Sequence, residues 1–385
     1  MAHALTRLTF PSGHKDGWDQ PGGTAGVGTC VLGILACVMH SHASHGRALV
    51  LAGLVQVGLS KLGLRVVGFQ SSAQISLPLL ERGGKRLATG KTAEREGRDT
   101  AAKRELRVLS HNVWCHYMQQ WYAPPASKRL ECLFEAIQAQ DYDVVLVQEL
   151  FLFRVGPLAN TQSFEVFTRA MLGAGYHLAS DPRSSLPVIG QNNGLAIFSK
   201  LDVSVAPVSR SFVATGESVC VKGFVHARLS LGGGRTLHVV TTHLDSKQKP
   251  KAVQDLQARQ IRSEVLDVVL GGVEGVSGAV LVAGDFNICS RGSKDDGQGY
   301  QKLVTAMSPL VDLYAPTAEM PAVPTRRPDQ KPFGGSKGGR KEQAAIDHAF
   351  VLGLTTATAD VVDLRCRDKT IVSDHFGLDM RLTVQ

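Results

Sequence analysis

Residues 279–287 read AVLVAGDFN. The apolar run has the length of a strand, and its lack of polar alternation suits a strand covered on both faces. Gly284 is the residue type that permits close backbone approach. Asp285 and Asn287 then present polar side chains at alternate positions, just past the buried run.

Other stretches repeat this pattern of a polar residue after an apolar run. Residues 107–114, RVLSHNVW, begin as a strand and bring Asn112 to its end. Residues 143–149, DVVLVQE, place Glu149 directly after a buried strand, which is costly unless the carboxylate meets solvent, a partner or a metal. The metal is the favoured partner. Residues 236–243, TLHVVTTH, hold two histidines an odd number of positions apart, so His238 and His243 face opposite ways in one extended strand. His243, at the strand end, is the candidate for the cleft. Residues 344–351, AAIDHAFV, and 371–378, IVSDHFGL, complete the set with Asp347, Asp374 and His375. Adjacent Asp374 and His375 point in different directions, so one can meet a metal and the other a water.

These residue types suit one chemistry. Hydrolysis of an anionic phosphodiester needs charge neutralised on the phosphoryl oxygens, a proton taken from water and a proton given to the leaving oxygen. A hard cation held by carboxylate and amide oxygens does the first. Histidine, with an ordinary pKa near 6.5, suits the other two.

The connecting segments fit a mixed fold. Residues 127–140 form an amphipathic helix through Leu130, Leu133, Phe134 and Ile137, and residues 253–270 a longer one through Leu256, Ile261, Val265 and Val269. In GQNNGLAIFSK, residues 190–200, the glycines precede a core strand rather than a phosphate loop, with Gly194 relieving crowding beside the site. Residues 219–229 and 236–243 form strands joined by the glycine turn at 232–234. The Pro- and Gly-rich basic stretch 316–341, containing Arg326, Arg327, Lys331, Lys337, Arg340 and Lys341, is a surface loop, either inert or in contact with phosphates or anionic headgroups.

Residues 1–103 read as an N-terminal extension and 104–385 as the catalytic domain. The extension contains no Asp or Glu over residues 20–80, and its apolar patches at 30–39 and 48–59 fall short of a membrane span. It is read as poorly ordered, or as a membrane or targeting segment, followed by a charged linker over 81–107. A net charge of +8 favours an anionic partner, a membrane surface or a nucleic acid. Seven cysteines without a close CxxC pair argue for reduced thiols and an intracellular location, with membrane association and organelle targeting open.

In this order, the strand-end Asn and Glu, TTH, GDFN, IDHAF and SDHFGL motifs resemble the endonuclease/exonuclease/phosphatase superfamily that includes deoxyribonuclease I. HNVWCHY at 111–117, VVLVQELF at 144–151, VKGFVHARL at 221–229 and THLDS at 242–246 are most similar to neutral sphingomyelinases. An aromatic is common after the aspartate of the IDHAF motif; here His348 stands there. The resemblance implies a four-layer α/β sandwich, with two packed, mostly antiparallel sheets flanked by helices. It implies magnesium, with manganese as a substitute, held mainly by Glu149 with Asn112 and Asp374 nearby. His375 would be the general base oriented by Asp347, Asp285 would position the nucleophile, Asn287 would bond the phosphoryl oxygens, and a protonated His243 would serve the leaving group. The expected substrate is a membrane sphingolipid, sphingomyelin first, with peripheral membrane association. A nuclease of the same fold and an inactive binding module are the alternatives.

Overall fold

The computed structural model describes residues 104–116, 124–155, 158–187, 189–216, 220–246, 252–271, 278–290, 297–316, 323–327 and 344–384. The expected N-terminal extension and most of the basic stretch lie outside the described residues.

In chain order the elements are β1 (Arg104–Cys115), α1 (Ala126–Gln140), β2 (Val144–Leu150), β3 (Phe153–Val155), β4 (Leu158–Asn160), α2 (Gln162–Gly173), β5 (His177–Leu178), β6 (Ile189–Gln191) and β7 (Ala196–Ser199). There follow β8 (Val203–Ser211), β9 (Gly223–Gly232), β10 (Arg235–His243), α3 (Ala252–Ile261), β11 (Gly278–Asp285), α4 (Gly297–Met307), β12 (Val311–Asp312), β13 (Asp347–Leu352), β14 (Thr356–Val362) and β15 (Gly377–Val384). The helix begun by α3 continues through a π-helical turn at Arg262–Leu266 to Leu270.

Two six-stranded sheets form, ordered β14-β15-β1-β2-β7-β5 and β12-β13-β11-β10-β9-β8, beside a small sheet β4-β3-β6. Each large sheet has one parallel pair at its centre, β1 with β2 and β10 with β11, and antiparallel neighbours elsewhere. A parallel pair needs a crossover, which α1 and α3 provide.

Side-chain alternation assigns the layers. In β2, Val144 and Leu146 enter the core between the sheets, while Val145 and Val147 pack with Leu133 and Ile137 of α1 and Phe167 of α2. In β11, Ala279, Leu281 and Ala283 face the other sheet, while Val280 and Val282 meet Ile261 and Val265 of the α3 helix and Leu303 of α4. The result is the expected helix, sheet, sheet, helix stack. Full burial of each such aliphatic side chain is worth about 1.5–3 kcal/mol. Among the described residues no helix is long and apolar enough to cross a membrane.

Three expectations are corrected. Leu256 is exposed rather than on the buried stripe; Gln254 and Gln257 take the inner positions because their amides bond backbone groups, including Asp245 O at 2.7 Å and Ala214 O at 2.9 Å. Cys132 and Cys366, expected to be reduced, are joined in a disulfide with Cα atoms 5.0 Å apart. Their separation of 234 residues leaves no spacing signal, and the bond removes the cysteine argument for a reducing compartment. Finally, residues 323–327 of the basic stretch are not a surface loop throughout, for Thr325 and Arg327 are buried.

Candidate active site

The central parallel pairs of the two sheets bring their carboxyl ends together. Asn112 in β1 shares the parity of core residues Leu106 and Val108, His243 in β10 that of Leu237 and Val239, and Asp285 in β11 that of Leu281 and Ala283. All three side chains therefore turn between the sheets. Asp347, at the start of β13, has the parity of Ala349 and Val351 and joins them. His348, one residue on, faces α4 and forms a separate buried cluster: Nδ1 lies 3.0 Å from Asp312 Oδ2, and Nε2 lies 2.8 Å from Ile288 O.

Glu149 comes from the end of β2, where φ is +58°. A left-handed non-glycine residue costs about 1–2 kcal/mol, a strain that collects at functional sites. Gly194 adjoins it as expected: at φ +64°, a Cβ there would lie 2.7 Å from the Phe151 ring and 3.1 Å from Glu149 Cα. Gly284 is needed for close approach, since a Cβ would lie 2.1 Å from Thr242 O.

Asp285 is the hub. Its Oδ2 accepts from Asn112 Nδ2 at 3.0 Å and lies 3.5 Å from His243 Nε2 and 3.7 Å from His375 Nε2. Its Oδ1 accepts the Asn287 amide at 2.9 Å. Glu149 Oε1 lies 3.7 Å from His243 Nε2. His375 Nδ1 is 2.9 Å from Asp347 Oδ2. Asp374 Oδ2 lies 3.9 Å from Arg326, and its Oδ1 is buried without a hydrogen-bond partner. Asn287 is at the margin, its Nδ2 donating to Leu244 O at 3.0 Å.

Burial and charge set the proton affinities. Burial raises the Asp285 carboxyl, Asp347 and Glu149 adding to it and His375 opposing. Burial by itself would lower His375, but the Asp347 and Asp285 carboxylates outweigh it and hold the imidazole above its ordinary value. Burial depresses His243 well below the usual range, with the charges of Lys222 and His375 adding. Lys222 Nζ lies 2.8 Å from its Nε2 and 3.2 Å from its Nδ1.

Sequence reasoning picked out Lys222 only as part of a motif and left it out of the site, because a lysine one residue before a strand carries no periodic signal. His238, set aside by parity, stacks on His226 on the helix-side face, ring centroids 5.4 Å apart.

The residues fit a hard divalent cation. Glu149, His243 and Asp285 offer ligand atoms within 4.8 Å of one another, as do Asp285, Asp347 and His375. The orphaned Asp374 Oδ1 and the raised Asp285 and Asp374 carboxyls mark negative charge concentrated in a buried place, which a cation would relieve. Glu149, with Asn112 and Asp374 nearby, would hold it.

The model of the Endonuclease/Exonuclease/phosphatase family matches residues 109–375, a span containing every one of these groups. The chain belongs to the endonuclease/exonuclease/phosphatase family. Within it, the chain is similar to the inositol phosphosphingolipids phospholipase C of Schizosaccharomyces pombe, 27% identical over 190 residues, 48% of this chain and 41% of that protein. The match therefore spans about two fifths of that relative's length. A Staphylococcus aureus beta toxin with bound magnesium ions shares the fold at TM-score 0.55 and 17% identity, covering 72% of this chain and 99% of the toxin. TDP2 of D. rerio, complexed with a single-strand DNA product, shares it at TM-score 0.50 and 15% identity, covering 72% of this chain and 98% of the other.

Proposed function

We propose that the protein is a magnesium-dependent phosphodiesterase that hydrolyses a membrane sphingolipid, sphingomyelin to ceramide and phosphocholine being the leading reaction. The observation that carries this reading is the meeting of the Asp347–His375 pair, Asp285, and the Lys222–His243 pair beside Glu149. The sphingolipid preference is supported by the named activity of the S. pombe relative.

When bound, the cation would neutralise charge on the phosphoryl oxygens. Asp347 orients His375 through Nδ1, leaving Nε2 to take a proton from the attacking water. The pull of the carboxylates on the His375 proton would be offset by a cation held among them. Asp285, within reach of that Nε2, positions the water. Asn112 holds the hub carboxylate in place. Asn287, whose backbone amide bonds the hub carboxylate, is assigned to the phosphoryl oxygens. His243 and Lys222, in contact on this side of the site, supply the proton for the leaving alkoxide. Work at a membrane surface completes the proposal, and the net charge of +8 supports attraction to anionic lipid.

The test is magnesium-dependent release of phosphocholine from sphingomyelin in mixed micelles, with DNA and RNA cleavage assayed on the same preparation. The expected result is lipid hydrolysis abolished by a chelator, restored by magnesium, and lost in His375→Ala. Cleavage of nucleic acid alone would replace the substrate and keep the site; tight binding without hydrolysis of either would remove the catalytic reading.

A further inference from the structure

Residues 323–327 connect two distant parts of the chain through backbone hydrogen bonds. On one side, the Thr325 and Arg326 amides donate to Ala344 O at 2.9 and 3.0 Å. Thr325 Oγ1 accepts the amides of Ile346 at 3.0 Å and Asp347 at 3.1 Å. On the other side, Thr325 O accepts the Phe376 amide at 2.7 Å, and the Arg327 amide donates to Asp374 O at 2.8 Å. Arg326 pairs with His375 in an isolated β-bridge. Arg327 Nε donates to Ser373 O at 3.0 Å, and its guanidinium pairs with Asp363 and lies 4.1 Å from the centre of the Phe376 ring.

The segment 344–347 runs into β13 of one sheet, and 373–376 runs into β15 of the other. Residues 323–327 therefore stitch the sheets together where Asp347 bonds His375. Thr325, fully buried, holds both sides: its hydroxyl oxygen fixes the amide of Asp347, and its carbonyl fixes the amide next to His375.

We propose that Thr325 is a positioning residue for the Asp347–His375 pair, setting the distance between carboxylate and imidazole from the backbone of each. The proposal rests on the reading of His375 as the base. A hydroxyl oxygen has two acceptor sites, and here both meet buried backbone amides. A valine would fill the same space and leave both amides unpaired. The geometric tolerance of a catalytic pair is small, since a displacement of about 1 Å can cost on the order of 10²-fold in rate.

The experiment compares wild type, Thr325→Val, Thr325→Ser, Asp347→Asn and the Thr325→Val/Asp347→Asn double variant for magnesium-dependent hydrolysis, each assayed below its melting temperature. Thr325→Val is expected to lower kcat about 10- to 100-fold with KM nearly unchanged. Thr325→Ser, which keeps the oxygen, should stay within about threefold of wild type. In the Asp347→Asn background the valine should add little, because the contact it positions is already lost. Full activity in Thr325→Val, equal impairment of Thr325→Ser, or an undiminished valine effect in the double variant would each overturn the proposal. If Thr325→Val does not fold, Thr325→Cys, which replaces the hydroxyl oxygen by a weak acceptor, takes its place in the same comparison. A wild type inactive on every phosphodiester would overturn the catalytic reading as well, whereas an active wild type with an active Thr325→Val removes the positioning role alone.

Discussion

Asp347 and His375 meet through a 2.9 Å contact between Oδ2 and Nδ1, although Asp347 opens a strand of one sheet and His375 precedes a strand of the other. Asparagine in place of Asp347 keeps the shape and removes the charge that orients and stabilises the imidazole. Asp347→Asn should lower kcat by about 10²- to 10⁴-fold with circular dichroism unchanged. Steady-state kinetics decide it; activity near wild type would show that His375 works without its partner.

Under the proposed function, Lys222 takes part in proton transfer to the leaving group. Its Nζ sits 2.8 Å from His243 Nε2 in a buried environment. Lys222→Met should reduce kcat about 10²-fold without lowering the melting temperature, because methionine fills similar space and no buried ammonium remains. The comparison is kcat with a natural substrate and with one whose leaving group needs no proton. A smaller loss with the activated substrate marks Lys222 as the donor; equal losses would assign it to binding or alignment.

The His348–Asp312 pair predicts a pH dependence of stability separate from turnover. Burial alone would lower the His348 imidazole, but the Asp312 charge and hydrogen bonds reverse this and raise it above its ordinary value. Burial would raise Asp312, yet His348 and its hydrogen bonds lower it. A raised histidine contributes stability that is full below its unfolded value near 6.5 and is lost as pH rises through the folded value; a lowered aspartate contributes above its unfolded value near 3.9 and loses it as pH falls through the folded value. The pair is therefore strongest between about pH 4 and 6.5. Urea midpoints measured at pH 6 and pH 9 should fall between the two for wild type, and fall less for His348→Gln. Parallel curves would show that the pair does not titrate over this range.

The Cys132–Cys366 bond ties α1 to the segment before β15. Cys132→Ser should destabilise the folded protein by about 2–4 kcal/mol and abolish any response of the melting temperature to dithiothreitol. Peptide mapping without reduction should recover the two cysteines in one cross-linked fragment. Their recovery as separate thiols from oxidised protein would contradict the pairing.

Much of the candidate site was legible because its polar side chains sit where apolar strands stop. GDFN announced Asp285, and the odd spacing of His238 and His243 put them on opposite faces, as the structure has them, since alternation along a strand is a local property. What escaped depends on contacts between distant segments. Thr325 lies in a Pro- and Gly-rich basic stretch whose composition indicates only a surface loop, and its partners Asp347 and Phe376 belong to different sheets. Cys132 and Cys366 have no spacing to advertise them, and Leu256 was displaced from the buried face by glutamines whose value lies in hydrogen bonds rather than in hydrophobicity.

The central parallel pairs carry a last implication. Asn112 and Glu149 come from one pair, His243 and Asp285 from the other, so neither sheet owns a working centre. Turnover is then a gauge of docking between the halves: a partly opened molecule that keeps every strand and helix, but lets the sheets part by an ångström or two, would look folded to a spectrometer and be dead to its substrate.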